Sequence, residues 1–188
     1  RLCSVVPLRR AFQENGLWAL KLAQFIGERG LPVPAEVTRF GQQHAGRLMD
    51  VPVSRWKKPL DRLILSPHVD EGLEFLFQTG TLQIISPEVV AMVDFHKSCP
   101  IHHKDLWDHT KQVVAKAEPN LAVRWAALMH DIGKIATRTV TGERKVHFFR
   151  HEELGGMLFR GVAARLELAP SFAEQVDYII RNHSRVNL

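Results

Sequence analysis

The stretch "ALMHDIGKIATRT" at residues 127–139 decides the fold. An apolar run, "WAALM", leads straight into His130 and Asp131, followed by Gly133 and Lys134. A histidine beside a carboxylate at the end of a hydrophobic helix is costly to bury unless the pair is hydrogen-bonded or holds a metal. The meaning of the pair therefore depends on where the other histidines fall.

Helical periodicity places four of them. On a helix predicted over 104–117, His109 shares a face with Leu106 and Val113. On 119–131, His130 sits with Ala126 and Ala127. On 151–168, His151 sits with Leu154 and Leu158, and on 171–183, His183 sits with Val176, Ile179 and Ile180. A single histidine at such a position is ordinarily a hydrogen-bonded core residue. Four of them, on four successive helices, are explained together by one shared metal site. Neutral imidazole is the commonest transition-metal ligand, and Asp131 adds a hard oxygen donor. Mixed nitrogen and oxygen ligation suits Mn, Ni, Co, Fe or Zn, with Mg as the harder option.

Outward from this region the chain reads as helix after helix. "GLWALKLAQFIGERG" (16–30) is amphipathic and stops at Gly30; "PAEVTRFGQQHAGRLM" (34–49) is weaker. Ser54 is expected to cap a helix through "RWKKPLDRLIL" that Pro59 kinks, and Ser66-Pro67 and Ser86-Pro87 are each expected to open another helix. Gly133 is expected to act as a helix C-cap. The β-branched residues around "TGER" predict one short hairpin or irregular loop near 136–149. The fold class is thus all-α. The composition shifts near residues 96–103, giving an expected division into a smaller helical portion over 1–95 and a helical bundle over 96–188.

The bulk properties fit. The chain has 188 residues, of which 45% are apolar and 24% charged, enough for a core without disorder. The net charge of +5 favours acidic partners such as phosphates or nucleic acid. Cys3 and Cys99 are the only cysteines, too few for a disulfide framework or a cysteine zinc site, which points to a reducing cytoplasmic setting. No apolar run reaches the roughly 18 residues of a membrane span.

His109, the pair His130-Asp131 and the continuation "HDIGK" resemble the HD superfamily of metal-dependent phosphohydrolases. The segments "IHHKDLWDHTKQVV", "RWAALMHDIGKIATRT", "VHFFRHEELGG" and "IIRNH" are similar to the HD region of bacterial tRNA nucleotidyltransferases, which add or repair the CCA end of tRNA. "ENGLWALKLAQFIGERGLPVPAEV" and the segments from "SRWKKPLDRLILS" to "LQIISPEV" are similar to that family's helical neck and its connection to the HD part. The resemblance implies an HD-type bundle over 96–188, truncated at its C-terminus, behind a neck-like region. It also implies that the polymerase head, with its DxD carboxylate pair, is missing, because no two of the eight aspartates here stand two residues apart. The family's last metal-binding aspartate has one late counterpart, Asp177, six residues before His183 and on the wrong side of its helix; the true ligand is expected beyond Leu188.

The expected site follows. His109, His130, Asp131, His151 and His183 are the candidate metal ligands, with Asp131 also a candidate base. Lys134 is a candidate catalytic and phosphate-binding residue, and Arg138 and His103 are further phosphate candidates, His103 also as a helix cap. His102, His103 and His147 are placed in loops, and Glu152 is read as an acidic residue matched to a helix N-terminus. The expected function is a divalent-metal-dependent phosphohydrolase acting on nucleotide or RNA-end phosphoesters, of the 2′,3′-cyclic phosphodiesterase or phosphatase type. The alternative is an RNA-binding body fragment of a tRNA nucleotidyltransferase, with tRNA as partner. A second-messenger HD enzyme ranks last, because no extra motif of that kind is present.

Overall fold

The computed structural model describes residues 15–93, 95, 105–142 and 145–185. The described residues are predominantly helical, and the fold is all-α. The chain divides into two compact units, one ending at Ser86 and one beginning at Pro87. Among the described residues, no helix is long and apolar enough to cross a membrane.

The first unit holds helices α1 (Trp18–Arg29), α2 (Ala35–His44), α3 (Lys57–Ile64), α4 (Val69–Gln78) and α5 (Thr81–Ile85), with 3₁₀ turns at Ala45–Asp50 and Val53–Arg55. Helix α1 packs on α3 and α4 through Leu20, Ala23 and Ile26, all buried. It ends as its sequence predicts: Gly30 takes φ 61°, and its N–H donates to the Ile26 carbonyl at 2.8 Å. Two expected caps are corrected. Ser54 lies inside a 3₁₀ turn, and α3 begins at Lys57 without a side-chain cap. Pro59 falls in the first turn of α3, where a missing N–H costs no helical hydrogen bond, so it produces no mid-helix break. The Ser66 hydroxyl donates backward to the Leu63 carbonyl at 2.6 Å, so it closes α3, and α4 starts later, at Val69.

The second unit holds α6 (Pro87–Val90), α7 (Leu106–Lys116), α8 (Leu121–Met129), α9 (Lys134–Thr137), a hairpin of β1 (Arg138–Val140) and β2 (Val146–Phe148), α10 (His151–Arg165), α11 (Pro170–Asn182) and a final 3₁₀ turn, His183–Arg185. Pro87 does open α6. The hairpin is antiparallel and pairs Arg138 with Phe148, Thr139 with His147 and Val140 with Val146. Helix α8 is the central element. Its residues Ala122, Trp125, Ala126, Ala127, Leu128 and Met129 are all buried, and α7 and α11 pack against it. Helix α11 in turn packs on α10, with Phe159, Val162, Val176 and Ile180 fully buried. Asn120 starts α8 by accepting from the Ala122 N–H at 3.0 Å, and Asp105 starts α7 by accepting from the Trp107 N–H at 2.9 Å.

Candidate metal centre

Because α8 is apolar nearly all round, its C-terminal end delivers His130 and Asp131 into the interior. His130 is 5% exposed and Asp131 has no exposed surface. The starts of α10 and of the last 3₁₀ turn bring His151 and His183 to the same place, and α7 brings His109. The His130–His183 ring centroids are 5.1 Å apart, those of His151–His183 5.2 Å, and those of His109–His130 5.6 Å.

Backbone contacts fix the protonation of three of these rings. Nδ1 of His130 lies 2.7 Å from the Ala127 carbonyl, Nδ1 of His151 2.9 Å from the Phe148 carbonyl, and Nδ1 of His183 2.7 Å from the Ile180 carbonyl. A carbonyl only accepts, so each Nδ1 carries its hydrogen. In the neutral rings every Nε2 is then a lone pair, and all three face Asp131. Asp131 Oδ2 is 3.1 Å from His130 Nε2 and 3.8 Å from His109 Nε2. Asp131 Oδ1 is 3.7 Å from His151 Nε2 and 3.8 Å from His183 Nε2, and those two nitrogens are 3.3 Å from each other. Lone pairs and carboxylate oxygens repel at such distances. Oδ1 is also fully buried and has no hydrogen-bond partner among the described residues, which ordinarily costs about 1–3 kcal/mol, or more for a charged group. A cation between these atoms removes both problems. Two groups of three, His109–His130–Asp131 and Asp131–His151–His183, each offer ligand atoms within 4.8 Å of one another and share Asp131. The donor set and its orientation fit a divalent metal.

The electrostatics agree. Burial alone would raise the Asp131 carboxyl, but His130 when it takes a second proton on Nε2, and the Lys134 ammonium, outweigh it and hold the group below the ordinary carboxylate range, hence ionised. Burial pushes the His183 imidazole below its ordinary 6.5, against the pull of the Ile180 carbonyl, so the ring is kept in its ligating, neutral form.

The other expected residues are distributed as follows. The Lys134 ammonium lies 2.7 Å from Asp131 Oδ2 and 5.6 Å over the Phe148 ring, at the edge of the site. Arg138 is set with its guanidinium 5.9 Å over the Phe95 ring. His103 lies outside the described residues, and the cap of α7 that it was a candidate for is made by Asp105. Asp177 is turned away from the histidines; it is buried, and its carboxylate takes Arg160 at 2.8 Å and Arg181 at 2.9 Å. Gly133 is corrected from a C-cap. Its φ of −69° is ordinary right-handed backbone at the start of α9, and it is the approach of His151 that requires a glycine. His147 is likewise corrected from loop to strand β2. Glu152 does more than face a helix dipole: it accepts from Ser184 Oγ and lies 3.3 Å from His151 Nδ1, joining the two histidine-bearing turns. No local pattern announces that pairing, since its partner is 32 residues away.

Residues 106–188, which carry this histidine–aspartate cluster, match the HD domain family. Residues 33–92 match the family described as "Probable RNA and SrmB-binding site of polymerase A". Over about 95% of its length the chain is homologous to CCA-adding tRNA nucleotidyltransferases. It is 30% identical over 191 residues to the CC-adding tRNA nucleotidyltransferase of Thermus thermophilus, covering 95% of this chain and 44% of that protein. It is 27% identical to the Multifunctional CCA protein of Pasteurella multocida, covering 94% of this chain and 45% of that protein. The Multifunctional CCA protein of Pseudomonas aeruginosa is also 27% identical, with 94% and 45% covered. The chain thus spans less than half the length of these relatives.

Proposed function

We propose that this chain is an HD-type metal-dependent phosphohydrolase acting on nucleotide or RNA-end phosphoesters, of the 2′,3′-cyclic phosphodiesterase or phosphatase type. The observation that supports it most is the buried Oδ1 of Asp131, without a hydrogen-bond partner among the described residues, facing the Nε2 atoms of His151 and His183. In this reading His109, His130, Asp131, His151 and His183 hold a divalent cation or a pair of them, in a neck-plus-HD arrangement over 1–95 and 96–188 and in a cytoplasmic setting. A bound divalent ion supplies Lewis-acid polarisation of a phosphoryl oxygen and a lowered pKa for water. Asp131 is the shared carboxylate and the candidate base. Lys134, partly exposed and one hydrogen bond from Asp131, offers its ammonium to the substrate phosphate. Arg138, at the start of β1, is a further phosphate candidate. The direct test is turnover of bis-p-nitrophenyl phosphate and 2′,3′-cAMP with Mn, Ni, Co, Fe, Mg or Zn, in wild type and Asp131→Asn. Wild-type turnover that is lost in the variant supports the reading; none with any metal, on a chain long enough to hold the family's last aspartate, rejects it.

A second reading is favoured by the match of residues 33–92 to an RNA-binding family. Here the chain is the RNA-binding body of a tRNA nucleotidyltransferase and tRNA is its partner. A tRNA titration at two salt concentrations separates the two readings. Salt-sensitive binding that is indifferent to His130→Ala supports the body reading.

A further inference from the structure

His147 on β2 and Phe149, the residue just past its end, form a pair of rings that the metal centre does not use. The imidazole of His147 and the ring of Phe149 lie nearly parallel, 10° between planes and 5.1 Å between centroids. Phe149 is 64% exposed, an unusual place for a ring that has a fixed stacking partner. Side chains alternate along a strand, so Phe148 points to the opposite side. There it meets Phe95 at 6.2 Å and carries the Lys134 ammonium, while its carbonyl accepts the Nδ1–H of His151. The strand that displays the stack is therefore also the strand that fixes a candidate metal ligand. Phe149 and His151 are two residues apart, so their Cα atoms are separated by no more than about 7 Å. The surrounding sequence, "RTVTGERKVHFFR" over 138–150, carries four cations against one acid.

Parallel rings with an accessible face, on a stretch of sequence with an excess of basic residues of which Arg150 is paired with Glu153, match one ligand chemistry well. Every nucleobase has a π-face that stacks on aromatic side chains without needing a particular sequence, and the attached phosphate is drawn to cations. An aliphatic ligand gains nothing from ring parallelism. We propose that the His147–Phe149 stack is a nucleobase platform beside the candidate metal centre. The ligand class is then a nucleotide, or the terminal nucleotide of a single strand, rather than a base-free phosphoester. The phosphate end of this ligand rests on the phosphohydrolase reading above; the base end rests on the stack alone.

The test is equilibrium binding by calorimetry on the full chain with Mn²⁺ present. The probes are the 5′-methylenephosphonate analogue of AMP, whose C–P bond resists hydrolysis, and methylphosphonate, which has no base. Wild type should bind the AMP analogue at least tenfold more tightly than methylphosphonate. Phe149→Ala should lose about tenfold of that affinity, within the range of base–aromatic stacking. Phe149→Trp should restore it and Phe149→Leu should not, with methylphosphonate binding unchanged in all three. Equal binding of the AMP analogue by wild type, Phe149→Ala and Phe149→Leu overturns the platform, as does a wild type that does not prefer the analogue over methylphosphonate. Should the ring-dependent binding appear without turnover of any phosphoester, the platform stands and the phosphohydrolase reading falls.

Discussion

A Cβ built on Gly133 would stand 2.1 Å from the carbonyl oxygen of His151 and 2.8 Å from the amide nitrogen of Gly155. Both atoms are backbone, so neither can swing aside. The turn after the His130–Asp131 pair and the start of α10 therefore cross with bare main chains in contact. This crossing sets how far His151 stands from Asp131.

Gly133→Ala should wedge that crossing apart. Overpacking of this kind costs about 1–3 kcal/mol, occasionally more. The variant should unfold at lower urea and bind Mn²⁺ more weakly than wild type. Unchanged metal affinity together with lowered stability would show that the crossing matters for folding but not for the position of His151.

Asp131→Asn keeps the volume and removes the charge that both ligand groups share. Metal content by elemental analysis should fall to background, and the rise in melting temperature caused by metal should vanish with it. In wild type that rise follows mass action, about 2.7 kcal/mol at a metal concentration 100 times Kd. An Asn variant that retains its metal removes Asp131 from the site.

Acid should destabilise the metal-free chain in two stages, both of the same sign. The folded pKa of His183 lies below its ordinary 6.5, so the unfolded chain binds more protons as the pH falls through that value, and stability declines there. Asp131 and Asp177 are also depressed in the fold. Burial opposes the depression in each; His130 and Lys134 overcome it at Asp131, and Arg160 and Arg181 at Asp177. The stability these carboxylates contribute is present above about pH 4 and is lost below it. Denaturant midpoints measured from pH 8 to pH 3 check both stages. His183→Asn should remove the upper one.

Lys134→Met should lower turnover of 2′,3′-cAMP about 10²-fold, the scale of losing one charge-stabilising donor. Metal content should be equal to wild type or higher, because an ammonium 2.7 Å from Asp131 Oδ2 competes with a cation for that oxygen. Normal kinetics would leave Lys134 as a partner of Asp131 only.

The helical fold and the helical faces of His109, His130, His151 and His183 are legible in the sequence because both depend on a local repeat. The end of α1 is legible for the same reason: Gly30 needs only its own φ of 61°. What escapes is either a choice between two local hydrogen bonds or a contact with a partner far along the chain. Ser54 and Ser66 have the composition of caps, yet a hydroxyl can as readily donate backward, as Ser66 does to Leu63. Gly133 looks like a helix terminator because the contact that requires it lies 18 residues away, at His151. Glu152 reads as a residue matched to a helix N-terminus because its partner Ser184 lies 32 residues away.

Among the described residues, the two ligand groups share one carboxylate, that of Asp131. Filling both groups would set two dications against a single carboxylate whose Oδ2 already faces the Lys134 ammonium. The first ion therefore makes the second less welcome, and an anion arriving with the second ion relieves the excess. Phosphate and the second cation should raise each other's affinity by the same factor, as linkage demands. Such a pair of ligand groups would hold its full complement of cations best with a phosphate alongside.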